Sequence, residues 1–270
     1  MSEQDEKTLT KLITKKRSAM SAELADDMSR KTGRRISERI IRGVKDELGY
    51  HTVLGKKRPK LEAEHKVKRL DFAQTNLHTD WKYVVFDDET QFGCSTHGLL
   101  YSIRKGEHPP YEYTSQVKYG TSVWAAVSWD KKFPLRFYRT ALKADSYIDI
   151  LTHNLLPHYP HRTVNRLYYF AHDNAPPHVA QSTLNFLHEQ HVPLLLDWPP
   201  NTPELNPVDK AWGWIKHVVQ QQRPASQAQL QDSIQQAWDA LPQSTIQKWI
   251  LHCKTVCRQL IDNQGATIPE

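Results

Sequence analysis

Residues 166–180 read RLYYFAHDNAPPHVA, an apolar run that ends on a charged side chain. Its Leu, Tyr and Phe residues are typical of a buried strand, and Asp173 follows that run almost directly. Burying a carboxylate is unfavourable unless it is paired or bound to a metal ion. Asp173 therefore either begins a turn or binds a metal, and the rest of the chain has to distinguish the two.

The composition predicts a protein with a substantial core. The chain has 270 residues, of which 39% are hydrophobic and 24% charged, so it is not of the disordered class. Its three cysteines are too few and too scattered for a disulfide framework, which favours a reduced intracellular protein. The segment HCKTVC is a weak zinc motif because it lies in a helical stretch without a second cluster. No apolar run of membrane-spanning length and no signal peptide is recognisable.

Basic charge is concentrated in the first third of the chain. Residues 1–79 contain 19 Lys and Arg against 12 Asp and Glu, a net charge of +7. Residues 80–270 contain 17 and 18, a net charge of −1. This asymmetry favours an anionic partner for the N-terminal part, although a run of charge is more often only a solvated face.

Residues 22–49 predict two short helices around a turn. Gly33 suits the turn, Ser37 is a good N-cap for the second helix, and Ile40, Ile41, Val44 and Leu48 give that helix an apolar face. This pattern is typical of a helix-turn-helix, whose second helix enters the major groove of DNA. A plain helical hairpin with a basic surface is the alternative, and Gly43 inside the second helix weakens the DNA-binding interpretation. The candidate DNA-binding residues are Arg34, Arg35, Ser37, Arg39, Arg42, Lys56, Lys57 and Arg58.

Three regions follow from these patterns. Residues 1–54 form the helix-turn-helix region, and residues 55–79 form a basic linker followed by a helix. Within the linker, KKRPK is a nuclear import signal or a DNA-backbone contact. From residue 80 to 270, strands come first and then alternate with helices, which predicts a mixed α/β sheet. Its predicted strands include LLYSI and VPLLLDW, and two helices near 226–240 and 243–261 close the chain.

Three acids stand at the ends of these elements. Asp88 interrupts the first strand, Asp173 ends a later one, and Asp209 follows Asn206 and Pro207 at the start of a helix. The local interpretation of Asp209 is a helix-capping acid, because the helix dipole favours a carboxylate there. If the three converged, their oxygens would suit Mg²⁺, and two such ions promote in-line phosphoryl displacement.

Three segments resemble the motif blocks of mariner-superfamily transposases: FDDETQF, HDNAPPHVA and LDWPPNTPELNPVDKAWGWIK. The segments KTGRRISERIIRGVKDELGY and KKRPKLEAEHKVKRLDFA resemble that family's second DNA-binding subdomain and linker. The resemblance covers nearly the whole chain. It implies an RNase H-like fold, a mixed sheet flanked by helices, preceded by a small all-α helix-turn-helix region. It also implies a catalytic and metal-binding triad in which the first acid is Asp88, directly before a glutamate, and the others are Asp173 and Asp209.

The same resemblance implies a cut-and-paste DNA transposase. Two Mg²⁺ ions, with Mn²⁺ as a substitute, would serve hydrolysis and strand transfer at terminal inverted repeats, with TA dinucleotides as targets and a homodimer as the assembly. The nucleus would be its location in a eukaryote. Three departures from the family are visible. The third acid is Asp within a motif of the branch that ends in Glu, and 35 residues separate it from Asp173, one more than usual. Only one helix-turn-helix is recognisable, so the region 1–54 is expected to be truncated.

Two other functions compete with transposition. A domesticated or decayed transposase would bind DNA without catalysis, and a general RNase H-like nuclease would cleave unrelated DNA or RNA equally well. Cleavage of repeat-end DNA in Mg²⁺ or Mn²⁺ distinguishes them.

Overall fold

A computed structural model describes residues 1–16, 19–50, 61–93, 120–160 and 167–268. The chain divides into two compact units, residues 1–58 and 59–270. Three predicted features lie outside the described residues: the strand LLYSI at residues 99–103, the cysteine Cys94, and the basic trio Lys56, Lys57 and Arg58.

The described part of the N-terminal unit contains three helices, α1 (Glu3–Lys15), α2 (Ser21–Thr32) and α3 (Glu38–Glu47). The sequence patterns above did not predict α1, although its signals are present. Ser2 and Asp5 form a reciprocal capping box at its start. Its apolar stripe packs into a small core with α2 and α3, formed by Leu9, Leu12, Ile13, Leu24, Ala25, Met28, Ile41 and Val44.

The predicted helix-turn-helix is confirmed as α2 and α3. Gly33 ends α2 in the left-handed conformation, with φ of 65°. Ser37 caps α3 by accepting a hydrogen bond from the Ile40 amide at 3.4 Å. The predicted apolar face of α3 was partly wrong, because Ile40 and Leu48 are exposed. Only the side of α3 that carries Ile41 and Val44 faces the small core. Ile40 and Leu48 lie off that side and are exposed to solvent.

Within the residues that the structure describes, the larger unit is built on a four-stranded mixed sheet, which confirms the predicted α/β class. Its strands are β1 (Val84–Gly93), β2 (Gly120–Val127), β3 (Arg136–Tyr138) and β4 (Tyr169–Ala171), in the order β3-β2-β1-β4. β1 is antiparallel to β2 and parallel to β4. Both long strands are central: β2 is buried over nearly its whole length, and β1 is buried over its first four residues, before Asp88 and the polar residues that follow.

Helices cover both faces of this sheet. One face packs against α4 (Ala63–Asn76), α7 (Pro207–Gln222), α8 (Gln227–Ala240) and α9 (Gln243–Asp262). The other packs against α5 (Ala144–Ile150) and α6 (Gln181–Glu189). Side chains of β1 alternate between the two layers, with Phe86 in the first and Val85 in the second. This alternation decides which acids of β1 face which helices.

Two predicted features of the larger unit differ in the structure. The helix predicted in the connecting region, α4, buries Phe72 and Ala73 in the first layer and packs on α9. It is therefore part of the larger unit. The segment VPLLLDW forms only a bridge from Leu194 to Phe170 and no full strand, because Asp197 takes φ of 60° and turns the chain away.

The thiols of the weak zinc motif are core residues. Cys253 and Cys257 are buried in the layer that contains α9, and burial raises the pKa of each thiol to about 12. Packing in this core accounts for both side chains. In the described ranges, no helix combines the length and apolar character needed to cross a membrane.

Gly265 marks a close approach between the C-terminal turn and α4. Its φ is 71°, and a Cβ atom there would lie 1.9 Å from the Lys66 carbonyl oxygen. We expect Gly265→Ala to destabilise the larger unit by about 2 kcal/mol or more, from the strained φ and from displacement of the α4 backbone. Denaturant titration followed by tryptophan fluorescence measures this, because all 8 tryptophans lie in the larger unit.

The matched control is Gly213→Ala on α7, where a Cβ meets nothing within 4 Å. It should stabilise the helix by about 0.5–1 kcal/mol. Equal effects of the two substitutions would contradict the close-approach interpretation of Gly265.

Candidate active site

Asp88 and Asp209 meet on the sheet face covered by α7. Asp88 follows Phe86 by two residues on β1 and so shares its face, and Asp209 is the third residue of α7. Their carboxyl groups lie close enough that the charge of Asp209 raises the pKa of Asp88. The fold therefore brings together two acids that are far apart in the sequence.

The pKa values of both acids are raised. Burial is the main cause for each of them. For Asp88 the charge of Asp209 adds to the burial and holds the pKa well above the usual range. For Asp209 the pKa rises to about 6, with Lys216 opposing the shift and the charge of Asp173 adding to it. The site therefore concentrates negative charge that the fold itself only partly neutralises.

Asp173 lies near this pair, but its carboxylate is bound by Ala175 and His178. It follows β4, and Oδ1 accepts hydrogen bonds from the Ala175 amide at 2.8 Å and from His178 Nδ1 at 2.7 Å. Burial raises the pKa of Asp173, but these two hydrogen bonds outweigh it and leave the pKa below its usual value. Both bonds end on Oδ1, and among the described residues no hydrogen bond to the other carboxylate oxygen is seen.

His178 links two of the sequence motifs. Its Nε2 lies 3.2 Å from Glu89 Oε1, and its ring stacks on Tyr147 with centroids 4.2 Å apart. Although burial opposes the charge, Asp173 and Glu89 raise the pKa of His178 to about 11, so the imidazolium is the form present at neutral pH. A buried cation between two acids holds Asp173 in place.

Asp87 points to the opposite side of the sheet from Asp88. Its Oδ2 accepts hydrogen bonds from Trp124 Nε1 at 2.8 Å and from the Tyr147 hydroxyl at 2.6 Å. Burial and the charge of Glu89 raise the pKa of Asp87 to about 7. It is a structural acid within the second layer, which separates its role from that of its neighbour.

Asn206 ties α7 to β1. Its Oδ1 accepts a hydrogen bond from the Val208 amide at 3.0 Å, the predicted N-cap, and its Nδ2 donates to the Asp87 carbonyl at 2.9 Å. The same side chain therefore starts the helix that carries Asp209 and attaches it beside Asp88. The sequence indicated the cap but contained no signal for the link to β1.

The donor set fits a hard divalent cation. Asp88 and Asp209 place two buried carboxyl groups where a cation would satisfy both, and the Asp173 carboxylate lies nearby. Within the described ranges, no three His, Cys, Asp or Glu side chains are already grouped as a metal site. The structure thus brings two of the three predicted acids together and leaves the third close by, held by His178.

The candidate DNA-binding residues of the N-terminal unit divide into two groups. Arg34 bonds Asp5 at 2.7 Å and Arg42 pairs with Glu38. Ser37 acts as a helix cap. Arg35 and Arg39 are exposed, and within the described residues they form no ion pair. These two cations are the ones most available to DNA phosphates.

Comparisons with known proteins agree with this geometry. A family model described as a DDE superfamily endonuclease matches residues 83–231, which include all three acids. A second model, described as a transposase, matches residues 6–78 and so includes α2 and α3.

Individual relatives are transposases. The chain is 30% identical over 239 residues to the Tcb2 transposase of Caenorhabditis briggsae, covering 85% of this chain and 86% of that protein. It is also 30% identical over 215 residues to the Tc3 transposase of Caenorhabditis elegans, covering 78% of this chain but only 65% of that protein. A structure of a pre-cleavage Mos1 transpososome matches the fold with a TM-score of 0.79 at 15% identity, over 98% of this chain and 80% of that one.

Proposed function

The chain belongs to the DDE superfamily of endonucleases, among the Tc1/mariner transposases, and on that premise we propose that it cuts and joins DNA at the ends of a transposable element. The observation that supports this most strongly is the proximity of Asp88 and Asp209, two buried acids brought together from separate motifs. With Asp173 they form the proposed catalytic and metal-binding triad.

The proposed roles of the residues follow from their contacts. Asp88 and Asp209, in their ionised forms, would hold the cation, and Asp173 would add a further carboxylate oxygen. His178 keeps Asp173 oriented through the bond to Oδ1. Asn206 and the dipole of α7 hold Asp209 at the edge of β1.

The cofactor proposed is Mg²⁺, with two ions at the site and Mn²⁺ as a substitute. Such ions generate a nucleophile from water and stabilise the attacking and leaving oxygens of an in-line phosphoryl displacement. Structures of the Mos1 mariner paired-end complex exist with Mg and with Mn, which supports the choice of metal.

The proposed substrate is double-stranded DNA carrying the terminal inverted repeats of the element, with TA as the target. A Mos1 paired-end complex with the left transposon end supports repeat-end DNA as the substrate. The proposed assembly is a homodimer. In a eukaryote the proposed place of action is the nucleus, where this substrate is found.

A cleavage and strand-transfer assay tests the proposal. The full chain is incubated with Mg²⁺ and a plasmid carrying the inverted repeats that flank its own coding sequence, together with a target plasmid. We expect breaks at the repeat ends and insertions at TA. Binding to repeat ends without any break would instead support a DNA-binding protein that has lost catalysis. Equal cleavage of unrelated DNA or RNA would indicate a general nuclease.

Arg35 and Arg39 are expected to contribute to DNA affinity by neutralising phosphates. Replacing both with alanine should weaken binding and flatten the log–log dependence of affinity on salt by about 0.9 for each phosphate that is no longer neutralised. Fluorescence anisotropy of a repeat-end duplex at several salt concentrations measures the slope. The control is Lys7→Ala on α1, an exposed cation paired with Glu3. If the control flattens the slope as much as the double variant, the DNA-binding face is not where we place it.

A further inference from the structure

Arg69 is a fully buried cation of α4, with 1% of its surface exposed. It lies on neither of the acid-bearing strands and in none of the three motif blocks. A buried charge that loses its partners is strongly destabilising, so its surroundings have to satisfy it completely.

Its guanidinium group donates to five acceptors from two distant segments. Nε bonds the Gly265 carbonyl at 2.9 Å, and Nη2 bonds Glu204 Oε1 at 2.6 Å and the Ala266 carbonyl at 3.5 Å. Nη1 bonds the Asn201 carbonyl and Thr202 Oγ1. An arginine has five N–H donors in a planar fork, and all five directions are used here. A lysine could supply the charge but not this geometry.

The residues held by Arg69 lead directly into α7. Asn201 is held with φ of 52°, a conformation that non-glycine residues seldom adopt, and its carbonyl is one of the acceptors. The turn of residues 201–204 then passes through Leu205 to Asn206, the N-cap that bonds β1. Asp209 follows on the first turn of α7.

Arg69 also binds the C-terminal turn that contains Gly265 and Ala266. Gly265 approaches α4 so closely that no side chain fits between them, and Arg69 bonds the carbonyls of this residue and the next. Arg69 therefore fixes the 201–204 turn against two elements, α4 and the end of α9, that do not themselves carry an acid of the site.

We propose that Arg69 is a positioning residue for the third acid: by holding the 201–204 turn it sets the start of α7 and keeps Asp209 facing Asp88. This rests on the proposed function, in which Asp209 is a metal ligand. Arg69 itself is buried in the protein interior and touches neither DNA nor the cation.

The test uses the full chain and Mn²⁺ as the probe. Arg69→Lys keeps the charge and loses the fork, so we expect the Mn²⁺ concentration for half-maximal thermal stabilisation to rise about tenfold. Cleavage of repeat ends should fall in kcat, with KM for DNA unchanged. Thr202→Ala keeps Arg69 and its ion pair with Glu204 and removes one hydrogen-bond acceptor, so it should shift both quantities in the same direction by less. It also preserves the test if Arg69→Lys fails to fold.

The matched control is Lys132→Met. Like Arg69, Lys132 donates to backbone carbonyls of a distant segment. Its three acceptors are the carbonyls of Trp238, Asp239 and Leu241, at the end of α8. Lys132→Met should lower the melting temperature. The Mn²⁺ concentration for half-maximal stabilisation of the folded protein should stay at the parent value. If Arg69→Lys and Thr202→Ala both match the parent, or shift the Mn²⁺ dependence no more than the control, the positioning role is overturned. A parent that binds no Mn²⁺ would overturn the proposed metal site as well.

Discussion

Asp209→Asn is expected to reduce Mg²⁺-dependent cleavage by about a thousandfold while making the metal-free protein more stable. A loss of roughly 4 kcal/mol of transition-state stabilisation corresponds to that factor, and it follows from removing one charge from the carboxylates that hold the cation. Asparagine caps a helix start as well as aspartate does, so the fold and DNA binding should be retained.

The gain in stability follows from the sign of the pKa shift. Burial and the neighbouring acids raise the pKa of Asp209 from 3.8 to about 6, so the folded protein resists its ionisation more than the unfolded chain does. The resulting decrease in the free energy of unfolding is absent below about pH 4, develops between pH 4 and 6, and is complete above that range. Removing the ionisable group should therefore add about 1–3 kcal/mol at pH 7–8 and almost nothing at pH 4.

Thermal melting in EDTA and cleavage in Mg²⁺, measured on the same preparation, test both parts. A variant that is less stable at pH 8 and still cleaves like the parent would make Asp209 a helix-capping acid only. That was the local interpretation of its position in the sequence.

The sequence predicted the features that depend on neighbouring residues. The cap formed by Asn206, the start of α7 at Pro207 and the left-handed Gly33 all follow from side chains within a few residues of one another. The alternation of β1 also follows, and with it the fact that Asp87 and Asp88 face opposite layers. The helix α1 was missed although Ser2 and Asp5 form a local signal of the same kind.

The sequence did not predict contacts between distant segments. Arg69 bonds residues 132 to 197 positions away, and His178 bonds Glu89 across 89 positions. Neither side chain differs in its local pattern from an ordinary polar helix or turn residue. The resemblance to a family selected the three acids, but which groups orient them depends on packing that no local period encodes.

Asp87→Ala and Asp88→Ala are expected to have opposite effects although the two residues are adjacent. Asp88→Ala should lower cleavage about a thousandfold, because it removes a proposed ligand, and should leave the metal-free protein at least as stable as the parent. The pKa of Asp88 is held well above its usual range by burial and by Asp209, so its loss relieves an unfavourable charge.

Asp87→Ala should do the reverse. The substitution leaves Trp124 Nε1 and the Tyr147 hydroxyl without an acceptor in the second layer, at a cost of about 1–3 kcal/mol for each donor. The variant should unfold at a lower denaturant concentration, yet cleavage by the folded fraction should stay within about tenfold of the parent, since Asp88 and Asp209 still meet. If the Asp87→Ala protein folds but no longer cleaves, while the Asp88→Ala protein remains active, Asp87 would be the first acid of the triad. The strand alternation predicts the opposite, because only the side chain of Asp88 faces α7 and the carboxyl group of Asp209.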